Sequence, residues 1–367
     1  MNKKIRTVGV IAIVALWALL VAFSWFGPRT EISEAERRPL AQMPEIKAET
    51  IFNGKFMSQF EDFALDQFPL RDTFRQVKSL FHYYVLGQKD NNDIYIADGY
   101  AVKQEYPYNA DSVVHALDRF NHLYEKYLKD SGSEIYMTIV PDKGYYLGEE
   151  NGHLTMDYDA MFTSFEQGMP WAQFVDITGQ LTAEDYYFTD THWRQERLDG
   201  VAEALCKALD ADWFRDGELT LAPVERPFYG VYYGQAALPM EPERLTVMNS
   251  DILKNCTVYN HETGKTAGIY DWEKLESKDL YDVYLSGAAA LLTIENPNAK
   301  TEKELVVFRD SFGSSLIPLL LKDYKTVTVV DIRYIASDFV GSYVDFHGQD
   351  VLFLYSALVL NSSTTLK

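Results

Sequence analysis

Two cysteines stand in 367 residues, Cys206 and Cys256, and neither has the near partner that a zinc site or a Cys-x-x-Cys redox pair requires. That excludes a disulfide framework, and one bridge between the two stays open for a chain outside the cell. Cys206, in AEALCKAL, reads as a small buried hydrophobe on a helix. Positive charge is also scarce. Against 54 Asp and Glu there are 34 Lys and Arg, a formal net charge of -20. That argues against nucleic acid as a partner, because a phosphate backbone must be met by surplus Lys and Arg. It equally disfavours broad adsorption to an anionic lipid surface. A GxSxG elbow is missing. The Gly-Lys-Thr of HETGKT lacks its phosphate-loop glycine, since Tyr259 stands there, and His261 has no second histidine to complete a zinc helix. No metal and no cofactor are expected.

Long hydrophobic runs are likewise absent after the first 26 residues, which makes the one present informative. Lys3, Lys4 and Arg6 precede an uncharged stretch from Thr7 to Phe26, about the length needed to cross a bilayer as a helix. Basic residues ahead of such a stretch keep that end in the cytoplasm and put the bulk of the chain outside. A cleaved signal peptide is the alternative, but the run ends in FSWFGP, whose aromatics suit an interface and not a cleavage site. The expectation is a single-pass cell-membrane protein: tail 1–6, anchor 7–26, stalk and helical lead-in 27–90, and an extracytoplasmic domain 91–367.

In the lead-in, Phe56, Phe60 and Phe63 repeat at helical spacing, and FPLRDTF marks a break at Pro69 with a new helix behind it. From about Asp93, apolar runs alternate with amphipathic helices. DIYIADGYAVK reads as a hairpin around Asp98-Gly99. DSVVHALDRFNHLYEKYLKD reads as a helix whose inner face is Val114, Leu117, Phe120, Leu123 and Tyr124. HWRQERLDGVAEALCKAL reads as another, with Leu198, Val201, Ala202, Leu205 and Leu209 inward. EIYMTIV, ELVVF, TVTVV and DVLFLY are strand-like. Such alternation predicts an α/β sandwich with a mostly parallel sheet covered on both faces. Residues 216–298, rich in Tyr, Gly, Thr and Pro, read as an insertion of loops and hairpins.

Functional groups in open α/β sheets collect where strands end and helices begin. Two places qualify: Asp190-Thr191-His192-Trp193, and Arg309-Asp310-Ser311-Phe312-Gly313 behind the strand ELVVF. Ser311 on a sharp turn, with N–H groups of Ser311 and Phe312 at a helix start, has the makings of a nucleophile beside an oxyanion site. A serine hydroxyl needs a base; His192 can take its proton, with Asp190 orienting the ring. Taken singly, each piece has a commoner reading: a helix cap, a polar corner, a core tryptophan.

TDTHW early, FRDSFG late, the apolar N-terminus, and the ERRPLAQMP and FPLRDTF segments together resemble the DHHW family of bacterial proteins, similar to the alginate O-acetylation proteins AlgJ and AlgX. The resemblance implies an SGNH-hydrolase-like three-layer domain in which the Asp-x-His pair precedes the serine, as it does here. It implies Ser311 as nucleophile, His192 as base and Asp190 as its orienter. Where ordinary SGNH enzymes carry Gly-Asp-Ser, this chain has Arg309, so Asp310 reads as part of the turn. Further candidates for the oxyanion and substrate side are Gly287, Phe312, Asn296, Trp193 and Arg309. The expected activity is transfer of an acyl group to a cell-surface or secreted polysaccharide, with a membrane O-acyltransferase as donor. An esterase of the same fold and a non-catalytic polysaccharide-binding or assembly protein are the rival readings.

Overall fold

The computed structural model describes residues 3–33 and 35–367 and divides them into two compact units: residues up to 92 with 233–240, and residues 93–232 with 241–367.

The first unit opens with helix α1 (Lys3–Phe26). Its stretch Ile5–Phe26 is long and apolar enough to cross a membrane, about 33 Å at the helical rise, a property that signal sequences share. Helices α2 (Lys55–Asp66) and α3 (Arg71–Leu80) follow, as the phenylalanine spacing and the Pro69 break predict. Phe56 and Phe60 stack at 6.0 Å, and Trp25 meets Phe60 edge-on at 5.5 Å. Within ERRPLAQMP, Arg38 grips Asp66 with two bonds of 2.7 and 2.8 Å, and the Ala41 N–H donates to the same carboxylate at 2.8 Å.

The second unit is an α/β sandwich. Its sheet comprises β1 (Ile135–Val140), β2 (Gln173–Phe174), β3 (Thr257–Asn260), β4 (Lys265–Gly268), β5 (Leu291–Glu295), β6 (Glu304–Arg309), β7 (Thr326–Val330) and β8 (Asp350–Ser356), in the order β4-β3-β5-β7-β6-β8-β1-β2. From β7 to β2 all pairs are parallel; β4, β3 and β5 add an antiparallel edge. Residues 216–298 thus do more than decorate the sheet: they contribute three of its strands. The central strands β6, β8 and β1 carry near-continuous apolar runs because both faces are covered. Leu305, Val307, Leu352 and Leu354 face one core; Val306, Phe308, Val351 and Phe353 face the other. Helices α4 (Ala110–Leu123) and α6 (Tyr158–Gly168) cover the second core, and α7 (Asp199–Ala208) and α8 (Gly313–Leu320) the first; the short α5 (Lys143–Leu147) follows β1.

Two local readings need correction. In α4 the buried apolar residues are Val113, Ala116, Phe120 and Leu123, Leu117 and the following Tyr124 pack half-buried on the same core, and of the expected face only Val114 is exposed. Helix α7 starts at Asp199, so His192 and Trp193 stand on a loop before it. The Asp98-Gly99 hairpin forms as expected, with both turn residues at positive φ, the conformation that Asp-Gly favours. Cys206 and Cys256 are both free and buried, and burial pushes each thiol up to about 12.

Candidate active site

Strand β6 ends at Arg309 and α8 begins at Gly313, which leaves Ser311 on the turn between them, half-buried at the carboxyl edge of the sheet. Asp310 shapes that turn. Fully buried, its carboxylate accepts from the Phe312 N–H at 3.0 Å, the Ser356 N–H at 2.7 Å and the Ser356 hydroxyl at 2.6 Å. It is spent on tying the turn to the end of β8, as its place in the sequence implies.

The second limb is the loop 187–192. The Tyr187 N–H donates to the His192 carbonyl at 3.1 Å, and Tyr186 bridges Trp193 in antiparallel fashion, which closes the loop at its base. Glu243 holds the far side, accepting from the N–H groups of Phe188 and Thr189 at 2.6 and 2.7 Å and from the Thr189 hydroxyl at 2.7 Å. Behind it runs the backbone of Gly230 and Val231. A Cβ on Gly230 would stand 2.3 Å from Asp190 backbone atoms, so only glycine permits this approach.

These limbs join residues 119 positions apart. His192 Nε2 lies 2.8 Å from Ser311 Oγ, and His192 Nδ1 lies 2.6 Å from Asp190 Oδ1. Asp190 is fully buried and accepts also from the His192 N–H at 3.1 Å and, at Oδ2, from the Val231 N–H at 2.8 Å. With Nδ1–H donating to the carboxylate, Nε2 carries the lone pair and accepts from the serine hydroxyl. The imidazole is sandwiched. Tyr281 stacks on it with centroids 3.9 Å apart and planes 9° apart, and Phe312 lies at 4.9 Å. A serine so placed can pass its proton to Nε2 while Asp190 stabilises the imidazolium.

The remaining candidates are bonded to other groups. The Phe312 N–H is committed to Asp310, and the Gly287 N–H to the Tyr284 carbonyl at 3.1 Å. Ser311 has the one N–H of the three that makes no bond to a described residue. Gly287, at φ 85°, ends a left-handed run with Leu285 and Ser286, and its carbonyl accepts from buried Arg309 Nη2 at 3.2 Å. Arg309 therefore braces that loop and is out of reach of solvent. Asn296 is spent at the far end of α8: its Nδ2 donates to the Leu321 carbonyl at 2.8 Å and its Oδ1 accepts from the Asn298 N–H at 2.9 Å. Trp193 is fully buried and donates from Nε1 to the Phe312 carbonyl at 3.1 Å and Ser315 Oγ at 2.9 Å, so it pins the histidine segment to the serine helix. Tyr281, Gly230 and Glu243 escaped the sequence reading, and no local signal distinguishes them.

No protein-family model and no curated protein sequence matches this chain. Solved structures do. A DHHW family protein from Eubacterium siraeum superposes with a TM-score of 0.59 at 21% identity, over 74% of this chain and 93% of the other. PatB1 of Bacillus cereus, solved with a sulfonyl adduct, gives 0.58 at 17% identity over 73% and 95%. A weaker likeness, 0.44 at 14% identity over 73% and 92%, is to the O-acetyltransferase domain of Pseudomonas putida AlgJ. The family resemblance drawn from TDTHW and FRDSFG thus has its counterpart among solved structures, and at these identities what is shared is the fold.

Proposed function

We propose that this chain is a membrane-anchored, extracytoplasmic O-acetyltransferase that modifies a cell-surface or secreted polysaccharide through acyl-Ser311. The observation that carries the reading is the Ser311–His192–Asp190 relay, 2.8 and 2.6 Å at its two links. Ser311 Oγ attacks the carbonyl carbon of an acetyl donor as its proton passes to His192 Nε2. The Ser311 N–H faces the negative oxygen that develops. The intermediate collapses as His192 returns the proton to the departing oxygen, leaving acetyl-Ser311. A sugar hydroxyl then gives its proton to His192 and attacks the ester, and Ser311 recovers its proton as the acetylated sugar leaves. Water in that position makes the same machinery an esterase. No step consumes a cofactor. By the family resemblance, a membrane O-acyltransferase supplies the acetyl group, and α1 holds the domain at that membrane with the N-terminus cytoplasmic.

The second reading, a polysaccharide-binding protein that has kept the fold, draws on a specific observation: the Phe312 and Gly287 N–H groups are both engaged, so the oxyanion has one ready donor. Hydrolysis of a chromogenic acetyl ester by the full chain in detergent, against Ser311→Ala, separates the two. Turnover lost in the variant supports the acyl-serine reading. Equal rates in both proteins leave the binding reading standing.

A further inference from the structure

Lys143 takes no part in the reaction above, yet the residue is almost fully buried (2% exposed) at the start of α5, just past the carboxyl end of β1. Nζ donates to the Tyr187 carbonyl at 2.8 Å and reaches the Phe188 carbonyl at 3.4 Å. Both carbonyls belong to the loop that carries Asp190 and His192. Tyr187 spends its N–H on the His192 carbonyl, so a single residue links the lysine to the histidine backbone. The ring of Tyr232 lies 5.2 Å from Nζ and that of Tyr100 5.8 Å. Tyr232 in turn donates its hydroxyl to Thr191 Oγ1 at 2.9 Å and its N–H to the Thr189 carbonyl at 3.0 Å. The charged groups that face the amine are Asp190, Glu243 and Asp142, all acidic.

On the acyl-serine reading, we propose that Lys143 is a positioning residue: its buried ammonium fixes Tyr187 and Phe188 from below, so that the 187–192 loop presents Asp190 to His192. Burying an ammonium is costly, and methionine would fill similar space without that cost. What the ammonium adds is a charge-assisted donor to a carbonyl that must otherwise go unpaired, and a positive field that favours the Asp190 carboxylate. Burial pulls the amine down to about 7, partly offset by Asp190, Glu243 and Asp142. The lysine is therefore protonated below that pH and becomes a weaker, neutral donor as pH rises through it.

The test uses the full chain in detergent and follows modification of Ser311 by phenylmethanesulfonyl fluoride, read by mass spectrometry from pH 5.5 to 8.5. Lys143→Met is expected to slow labelling roughly 10- to 100-fold, the scale of a displaced catalytic group. Lys143→Gln, which keeps a donor without the charge, is expected to recover part of that rate. The wild-type-to-Met ratio should be largest below pH 7 and fall above it. A ratio that is flat with pH, or no slowing at all while the wild type labels, overturns the role of Lys143. If Lys143→Met fails to fold, Lys143→Gln decides: a wild-type rate and pH profile in that variant sinks the proposal. A wild type whose Ser311 never labels brings down the acyl-serine reading itself, and the positioning role with it.

Discussion

Tyr281 lies flat against His192, centroids 3.9 Å apart and planes 9° apart, while its hydroxyl bonds Ser315 Oγ at 2.7 Å. Ser315 also receives Trp193 Nε1. One hydroxyl on α8 thus joins the residue after the histidine to the ring stacked on the histidine. An imidazole that must swing between a serine and a leaving group loses rate when it tilts, and here its plane is held from the side as well as by Asp190 along its edge.

Tyr281→Phe keeps the stack and loses one buried hydrogen bond. We expect it to cost about 1 kcal/mol of stability and leave ester hydrolysis within a few-fold of wild type. Tyr281→Ala removes the ring, and the cavity should cost about 3–5 kcal/mol with a much larger fall in kcat. Thermal unfolding beside steady-state kinetics checks both. Equal kcat in the Phe and Ala variants would show that the stack does nothing for the base.

Asp190 receives three N–H groups, two from His192 and one from Val231. Asp190→Asn keeps the volume but puts an amide where a carboxylate must accept from Nδ1–H, which favours the wrong tautomer. The expected loss in kcat is roughly 10⁴-fold, with KM little changed. A loss below tenfold would mean that Asp190 is a corner residue and not the orienter of a base.

Gly230→Ala tests the packing behind that carboxylate. The added methyl meets Asp190 backbone at 2.3 Å, so one of the two backbone segments must shift to admit it. We expect about 1–3 kcal/mol of destabilisation, with sulfonyl labelling of Ser311 slowed even where the variant is folded. Gly179→Ala, with open space around its Cβ position, is the control that should leave both readouts unchanged.

The sandwich was readable in sequence because strand and helix periods differ, and β1, β6, β7 and β8 are each built on a short run rich in Val, Leu, Ile and Phe. The antiparallel edge was not: TVYN and KTAG carry no hydrophobic run, since an edge strand covered on few sides needs none. The burial of Val113 and not Val114 in α4 has a local cause too. Val113 and Val114 are equal in hydropathy, and only the packed neighbour decides which turns inward. His192 looked helical because the stripe from Leu198 onward is helical; the Tyr186–Trp193 bridge and the Glu243 clamp that hold it off the helix are long-range. The relay itself was legible as types and order. Tyr281, Lys143 and Gly230 act through proximity that only the fold creates.

Asp142 and Lys143, adjacent and both buried, give stability an unusual pH dependence. Burial raises the Asp142 carboxyl to about 6 from 3.8, although the Tyr158 hydroxyl bonds it at 2.5 Å. Between pH 4 and 6 the native state therefore holds a proton that the unfolded chain has lost, and stability falls as pH rises, by about 3 kcal/mol for a shift of this size. Lys143 acts in the other window. Its amine titrates at about 7 when folded and 10.5 when not, so above pH 7 the unfolded chain binds more protons and stability rises with pH. Together they predict a minimum near neutrality in the stability these two residues contribute. Asp142→Asn should flatten the acid limb and leave the alkaline one; Lys143→Met should do the reverse. Chemical denaturation of the two variants and the wild type at half-unit steps from pH 4 to 9 reads both limbs. Parallel curves for all three proteins would show that neither ionisation is buried as the structure has it.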